Sequence, residues 1–352
     1  MSRVLFRCDV SPRVGTGHLR RCLTLAEELK DLGAFVFFAC RVADFDVAKE
    51  LNGAADDWAL LSWSLTPESD VDEVVQLYRR YQIDIAVIDH YRVDVQYQKR
   101  LYESGVRWLQ FDGYAEQPFW ADWVMNASPA AKESSYLPLR QRDETRFLLG
   151  PAYAFLRREF HQWRSKVKFR KQVQKILLTF GGADDKGATV LCLEAIKSLE
   201  PNIERVVLVT TANPRMAEIV NWSEKNENLN VTLHIDKEKV GRCTAEVDIA
   251  ITAGGMTTFE TAAMGLPSLI VQIADNQRLN AGAWQNKGAA IDIGPIEKLD
   301  PTFLEHQVSK LINDSQLRIS MSHAGKALVD CLGAQRVARI LLSRDKCHVS
   351  LS

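Results

Sequence analysis

Three glycine-bearing stretches hold the residues whose types and spacing could do chemistry. The first, D-V-S-P-R-V-G-T-G-H from Asp9 to His18, ends a strand-like run and opens a helix-like one. Its glycines let backbone approach a ligand at a helix N-terminus, with Arg13, Gly15 and Gly17 as candidate substrate contacts. His18 would stand in the positive end of the helix dipole, which disfavours imidazolium and leaves a ring able to take a proton near neutral pH. Asp9, at the strand end, is placed to hold the other ring nitrogen, so His18 and Asp9 form a candidate catalytic pair. The plainer alternative is a capping histidine without chemistry. A dinucleotide fingerprint would need glycine where Arg20 stands, and no Lys-Ser/Thr pair follows the glycines as in a Walker A loop.

The second stretch, G-G-A-D-D-K-G-A-T from Gly181 to Thr189, follows an apolar run. Gly181 and Gly182 would let a substrate lie against backbone, whereas Asp184 and Asp185 would repel a phosphate and read better as caps of the following helix. The third, A-G-G-M-T-T-F-E-T-A-A-M-G-L-P from Ala253 to Pro267, has no acid near its helix start before Glu260. Gly254, Gly255, Met256 and Thr257 therefore make the better diphosphate seat, where N–H groups, helix dipole and hydroxyls act together. Glu260 has two readings: the acid of a Thr257-x-x-Glu260 capping box, or an acceptor for the diol of a ribose. Further on, Asn276 and Gln277 in A-D-N-Q either contact a polar ligand or start a helix. The pairs Asp44-Phe45-Asp46 and Asp70-Val71-Asp72 have the spacing of metal-dependent sugar transferases but look like helix beginnings, and no H-E-x-x-H occurs, so no metal site and no cofactor are expected.

The elements that must position these loops alternate. Val4–Cys8, Phe35–Cys40, Ile85–Ile88, Val106–Phe111 and Phe147–Leu149 read as strands, with helical spacing after Leu19 and near Val71–Tyr81 and Val93–Ser104. The rhythm restarts at Ile176–Phe180, then a helix over about 187–199, then strands at Val206–Thr210, Val231–His234, Ile249–Thr252, Ser268–Val271 and Ala290–Ile293. Short apolar strands alternating with helices mean parallel sheets covered on both faces. The reading is two open α/β domains, residues 1–165 and 166–352, joined by the basic stretch Arg157–Lys175 as a solvated linker helix. Their strand ends would face a cleft, where ligands of open α/β sheets bind. The helices beyond about Pro301 have no partner strands and are expected to pack back across the domains.

Composition agrees. A net charge of −1 offers no field for nucleic acid or anionic lipid. The seven cysteines are scattered, never as CxxC, which fits a reducing cytosol rather than disulfides or zinc. The start M-S-R-V-L-F-R-C-D-V lacks a charged region followed by an apolar one, and no apolar run is long enough to span a bilayer, so a cytoplasmic protein with neither signal peptide nor membrane insertion is expected. Oligomeric state is not legible.

Two alternating α/β halves, G-x-G-H in the first loop and G-G-x-T-x-x-E-x-A-A-x-G-L-P in the third, resemble the GT-B sugar-nucleotide enzymes, and in the third loop the lipid II N-acetylglucosaminyl transferases. That resemblance implies two Rossmann-like domains and a ribose role for Glu260. A nearer resemblance is carried by R-C-D-V-S-P-R-V-G-T-G-H-L-R-R-C-L-T-L-A, V-I-D-H-Y (Val87–Tyr91), L-L-G-P-A-Y-A-F-L-R-R-E-F (Leu148–Phe160), T-F-G-G-A-D (Thr179–Asp184) and A-D-N-Q, in order from about Arg3 to Gln285. This series is similar to the UDP-2,4-diacetamido-2,4,6-trideoxy-β-L-altropyranose hydrolases of pseudaminic acid biosynthesis. It implies a catalytic histidine, matched by His18, and substrate contacts at Tyr91, Gly255, Glu260 and Asn276. The transferases double the glycine before their histidine, while Thr16-Gly17 stand here, which favours the hydrolases. The expected activity is removal of UDP from an amino-sugar nucleotide without metal; the competing expectations are a GT-B transferase and a UDP-sugar-binding module without turnover.

Overall fold

The computed structural model describes residues 1–11, 17–43, 46–181, 185–236 and 239–343. They form two units, residues 1–155 with 332 onward, and residues 156–331.

In unit 1, β1 (Arg3–Val10), α1 (Gly17–Asp31), β2 (Phe35–Val42), α2 (Val47–Leu51), β3 (Asp57–Leu61), α3 (Pro67–Arg80), β4 (Ile85–Asp89) and α4 (Val95–Glu103) are followed by β5 (Trp108–Phe111), β6 (Trp123–Asn126), α5 (Glu133–Tyr136) and β7 (Arg146–Leu149). The seven strands are parallel, in the order β3-β2-β1-β4-β5-β6-β7. Two apolar layers clad the sheet, because alternate residues of each strand point to opposite faces. Val4, Phe6, Cys8 and Val87 face Leu19, Cys22 and Leu29 of α1, while Leu5, Phe37 and Ile88 lie in the layer with Val71 and Val74 of α3 and Tyr97 of α4.

Unit 2 repeats the plan. It runs α6 (Arg158–Arg164), β8 (Lys175–Thr179), α7 (Ala188–Ala195), β9 (Glu204–Val209), α8 (Met216–Lys225), β10 (Val231–Ile235), α9 (Val240–Ala245), β11 (Ile249–Ala253), α10 (Thr257–Met264), β12 (Ser268–Gln272), α11 (Arg278–Asn286), β13 (Ala290–Pro295), α12 (Pro301–Asn313) and α13 (Ser315–Leu328). Its strands are parallel in the order β10-β9-β8-β11-β12-β13. Both sheets thus reverse direction once, between β1 and β4 and between β8 and β11. Ligands of doubly wound sheets bind at these switch points, outside the carboxyl ends of the strands. The first stretch of the sequence follows β1, the second follows β8 and the third follows β11.

The expected boundary at 165/166 shifts to 155/156, and the chain end changes unit. The last helix, α14 (Gly333–Leu342), buries Val337, Ala338 and Leu341 in the apolar layer of α1 in unit 1, while α12 and α13 pack on unit 2. Each such Val or Leu contributes roughly 1.5–3 kcal/mol when buried, enough to seat a ten-residue helix far from its sequence neighbours. The basic stretch is not a solvated linker helix either. Only Arg158–Arg164 is helical, and Arg164 donates to the carbonyls of Ala263 at 3.0 Å, Lys326 at 2.7 Å and Val329. These carbonyls end α10 and α13, where a guanidinium satisfies groups that have no helical partner. Arg170 is likewise held by Asp248 at 3.0 Å. Strands β3 and β6 lie outside the apolar runs expected as strands; β3 is a partly exposed edge strand whose alternation is broken by Trp58 and Leu60. No helix among the described residues is long and apolar enough to cross a membrane.

Candidate active site

Unit 1 brings His18 to the start of α1, where its side chain is nearly enclosed. Its Nδ1 lies 2.6 Å from Oδ1 of Asp89, the last residue of β4. Arg21, one turn along α1, donates from Nε to Oδ2 of Asp89 at 2.5 Å and from Nη2 to Oδ1, and that Nη2 lies 3.1 Å from His18 Nδ1. Burial by itself would raise the Asp89 pKa; the charge of Arg21, with hydrogen bonds from His18 and Arg21, outweighs it and holds the carboxyl at about 2. An ionised carboxylate only accepts, so the proton of the imidazole belongs on Nδ1 and the lone pair on Nε2. A base whose tautomer is held by a buried carboxylate is what proton abstraction at neutral pH requires.

The expected partner was Asp9, and the structure replaces it with Asp89. The reason is strand parity. Cys8 is in register with Asp89, so both side chains point to the α1 face, whereas Asp9 points to the other. There its oxygens accept from Arg7 Nη1 at 2.7 Å and Arg41 Nη2 at 2.8 Å. Asp89 and Arg21 stand inside V-I-D-H-Y and L-R-R-C; an acid ending the central strand next to β1 was the available signal. Tyr91, two residues beyond Asp89, meets the His18 ring edge-on with centroids 4.7 Å apart and is 67% exposed, which leaves one face for a ligand. Gly17 opens α1 with room around its Cα. Arg13, Gly15 and Asp44 lie outside the described residues.

Among the D-x-D acids, Asp46 caps α2, Asp70 is buried against Arg7 and Arg92, and Asp72 meets Arg100 at 2.8 Å. These carboxylates serve as caps and arginine partners.

In unit 2, Gly181 ends the β8 segment at φ +94°, a conformation that a side chain would strain. Gly182 and Asp184 lie outside the described residues, but Asp185 accepts from the N–H groups of Gly187 at 2.9 Å and Thr189 at 3.1 Å, the capping role expected of it. The third loop is built differently from expectation. Gln277 is a strut: its Oε1 accepts from Gly254 N–H and Ile273 N–H, both at 3.0 Å. Gly254 is therefore not a free donor of the seat, and a Cβ there would fall 2.8 Å from the Gln277 Cβ. The N–H groups of Gly255 and Met256 have no partner among the described residues, and Thr257 is the first residue of α10. The Thr258 hydroxyl is turned inward to the Gly255 carbonyl at 2.7 Å. Asn276 stands exposed beside this loop.

The capping-box reading of Glu260 does not hold. Met256 precedes α10 without a side-chain cap, and the Glu260 carboxylate lies 3.6 Å from Arg157 Nη2 instead. Arg157 also meets Glu159 at 3.0 Å. Burial pushes the Glu260 carboxyl up to about 7, opposed by Arg157 and reinforced by the charge of Glu159. The sign of the consequence is definite. A carboxyl raised in the folded state disfavours folding once it ionises, so its cost appears as pH rises from about 4.5 to 7. Glu260→Gln should leave stability unchanged near pH 5 and increase it above pH 7. The side chain is 20% exposed, and solvent screening limits the gain to about 1 kcal/mol. Melting curves at both pH values, with UDP titrations beside them, check this.

Residues 176–336 match the model of the glycosyltransferase family 28 C-terminal domain. Across 97% of this chain and 99% of the other, the structure superposes on Acinetobacter baumannii MurG with a TM-score of 0.72 at 16% identity. The fold is GT-B. The chain is 26% identical to the UDP-2,4-diacetamido-2,4,6-trideoxy-beta-L-altropyranose hydrolase of Campylobacter jejuni, over 82% of this chain and 98% of that protein. It is 25% identical to the spore coat polysaccharide biosynthesis protein SpsG of Bacillus subtilis, over 93% and 94%. It spans 60% of the length of an uncharacterized Methanocaldococcus jannaschii protein, at 24% identity.

Proposed function

We propose that this protein is a UDP-sugar hydrolase: it cleaves a UDP-diacetamido-trideoxyhexose at the anomeric carbon with inversion, in pseudaminic acid or a related surface-glycan pathway. The observation that carries the reading is the His18–Asp89–Arg21 array at the β1/β4 switch point, together with the resemblance to a hydrolase spanned nearly end to end. Water attacks the anomeric carbon on the face opposite UDP, and His18 Nε2 takes its proton, an effect typically of about 10²–10⁴ in rate. The departing diphosphate is stabilised by the N–H groups of Gly255 and Met256 and the start of α10. Glu260 accepts from the ribose hydroxyls, with Tyr91 and Asn276 at the sugar. His18 and Asp89 supply one base and no second carboxylate stands beside it as a covalent nucleophile among the described residues, so a single displacement is expected.

Incubation with a panel of UDP-diacetamido-sugars in ¹⁸O-labelled water tests this. Label in the sugar with inverted configuration is expected. Label in UDP or UMP would defeat attack at the anomeric carbon, and retention would require a nucleophile other than water. EDTA is expected to leave the rate unchanged, since a helix start rather than a cation bears the diphosphate charge; activity lost and then restored by Mg²⁺ would overturn that part. The family 28 match over residues 176–336 keeps one alternative, transfer of the sugar to an acceptor hydroxyl. A transferase would release free sugar only slowly without acceptor.

A further inference from the structure

On the face of the unit 1 sheet opposite α1, the carboxyl ends of β1, β2 and β4 hold a second polar network that the proposed reaction does not use. Asp9 joins Arg7 to Arg41. Asp70 joins Arg7 to Arg92, whose Nη2 lies 2.8 Å away, and also accepts from the Tyr97 hydroxyl at 2.9 Å. The backbone N–H of Arg92 donates to His90 Nδ1 at 3.3 Å. Three guanidinium groups thus share two carboxylates.

Three donors in this network have no partner among the described residues. Arg41 Nε, Arg92 Nε and His90 Nε2 are buried and make no hydrogen bond. Arg41 and His90 are each only 7% exposed. Burial, with the charges of Arg7, Arg92 and Arg41 around it, drives the His90 pKa well down, so the ring is neutral. Its Nδ1 accepts, which places the ring proton on Nε2 and makes that nitrogen a donor. A buried donor left unsatisfied costs free energy, and an excess buried cation costs more, so such groups ordinarily have a partner. What the network lacks among the described residues is a further acceptor carrying negative charge. The Arg41 guanidinium also lies 4.1 Å from the ring centre of Trp63, a side chain 41% exposed.

We infer that unit 1 carries an oxyanion subsite at Arg41, His90 and Arg92, which accepts a carboxylate or phosphoryl group. His90 directly follows Asp89, and its ring meets that of Tyr97, a partner of Asp70, edge-on with centroids 5.1 Å apart. The inference does not depend on the hydrolase reading; it requires only the orphaned donors and their charge.

The test uses the full chain with ring-¹⁵N-labelled histidine, titrated separately with inorganic phosphate and with sodium acetate. The His90 Nε2 resonance, assigned by its loss in His90→Phe, is expected to move saturably with at least one of them. A response to phosphate alone identifies a phosphoryl site, to acetate alone a carboxylate site, and to both a general oxyanion site. Arg41→Met should weaken the response at least tenfold, and His90→Gln, which keeps a donor at the same reach, should retain anion binding by calorimetry better than His90→Phe. If neither anion moves the wild-type resonance, or if Arg41→Met leaves the response intact, the subsite does not exist and the donors are only hydrated. The wild-type titration decides this even where a variant fails to fold.

Discussion

His18→Asn should lower kcat by roughly 10²–10⁴ while UDP affinity changes by no more than a few fold. The asparagine is too short to present a lone pair where Nε2 stands, so the proton of the attacking water has no acceptor. Asp89 keeps both hydrogen bonds to Arg21, so the buried carboxylate is not stranded and the fold should tolerate the change. The proposed uridine seat rests on unit 2, whose apolar core contains none of the residues around His18. Rates of UDP release and calorimetric UDP titrations check the two halves. A variant with near-wild-type kcat would remove His18 from the reaction.

Asp89→Asn should damage both activity and stability. The amide no longer holds a protonated Nδ1, since it can donate as well as accept, and His18 is released to either tautomer; a loss of roughly 10²–10³ in kcat is expected. Arg21 loses its counter-charge. Removing one partner of a buried pair costs about 3–5 kcal/mol, and because the Arg21 side chain is 28% exposed the cost here should be about 2–3 kcal/mol. The pH dependence separates this from generic damage. With its pKa held at about 2, below the usual carboxylate value near 4, Asp89 stabilises the fold above about pH 4, and that contribution fades as pH falls toward 2. The gap between wild type and variant in urea melts should therefore be full at pH 7 and shrink at pH 3. A gap that does not change with pH would mean that the Asp89 charge contributes nothing.

The three candidate loops were legible because each breaks the local rhythm. A glycine pair between a strand and a helix is a local event, and its place in the chain reports its place at a sheet edge. The alternation of apolar runs likewise reported two parallel sheets, since burial on both faces leaves a continuous apolar strand. Two strands were less legible: β3, at the sheet edge, carries the exposed Trp58 and Leu60, and β6 between β5 and β7 is only four residues long. Glu260 stayed ambiguous because a capping box and a ribose acceptor place the same carboxylate at the same spacing. The start of α10 at Thr257, after an uncapped Met256, and the contact of Glu260 with the distant Arg157 removed the first reading.

The sequence by itself determined the fold class, the three loops and His18 as a candidate base. Tertiary structure decided every partner. Asp9 and Asp89 are both acids at the ends of neighbouring central strands, and nothing local distinguishes them. Pairing β1 with β4 in register sends Cys8 and Asp89 to one face and Asp9 to the other, so a one-residue parity set by hydrogen bonding across 80 residues selects which acid meets His18. The same holds for Gln277, which reads as a ligand contact and serves as a strut, and for α14, whose apolar stripe fits the layer of α1. Residue type and spacing record what a side chain can do. Which groups it meets depends on long-range strand register and on the apolar surface left to cover, and neither is a property of any short stretch of chain.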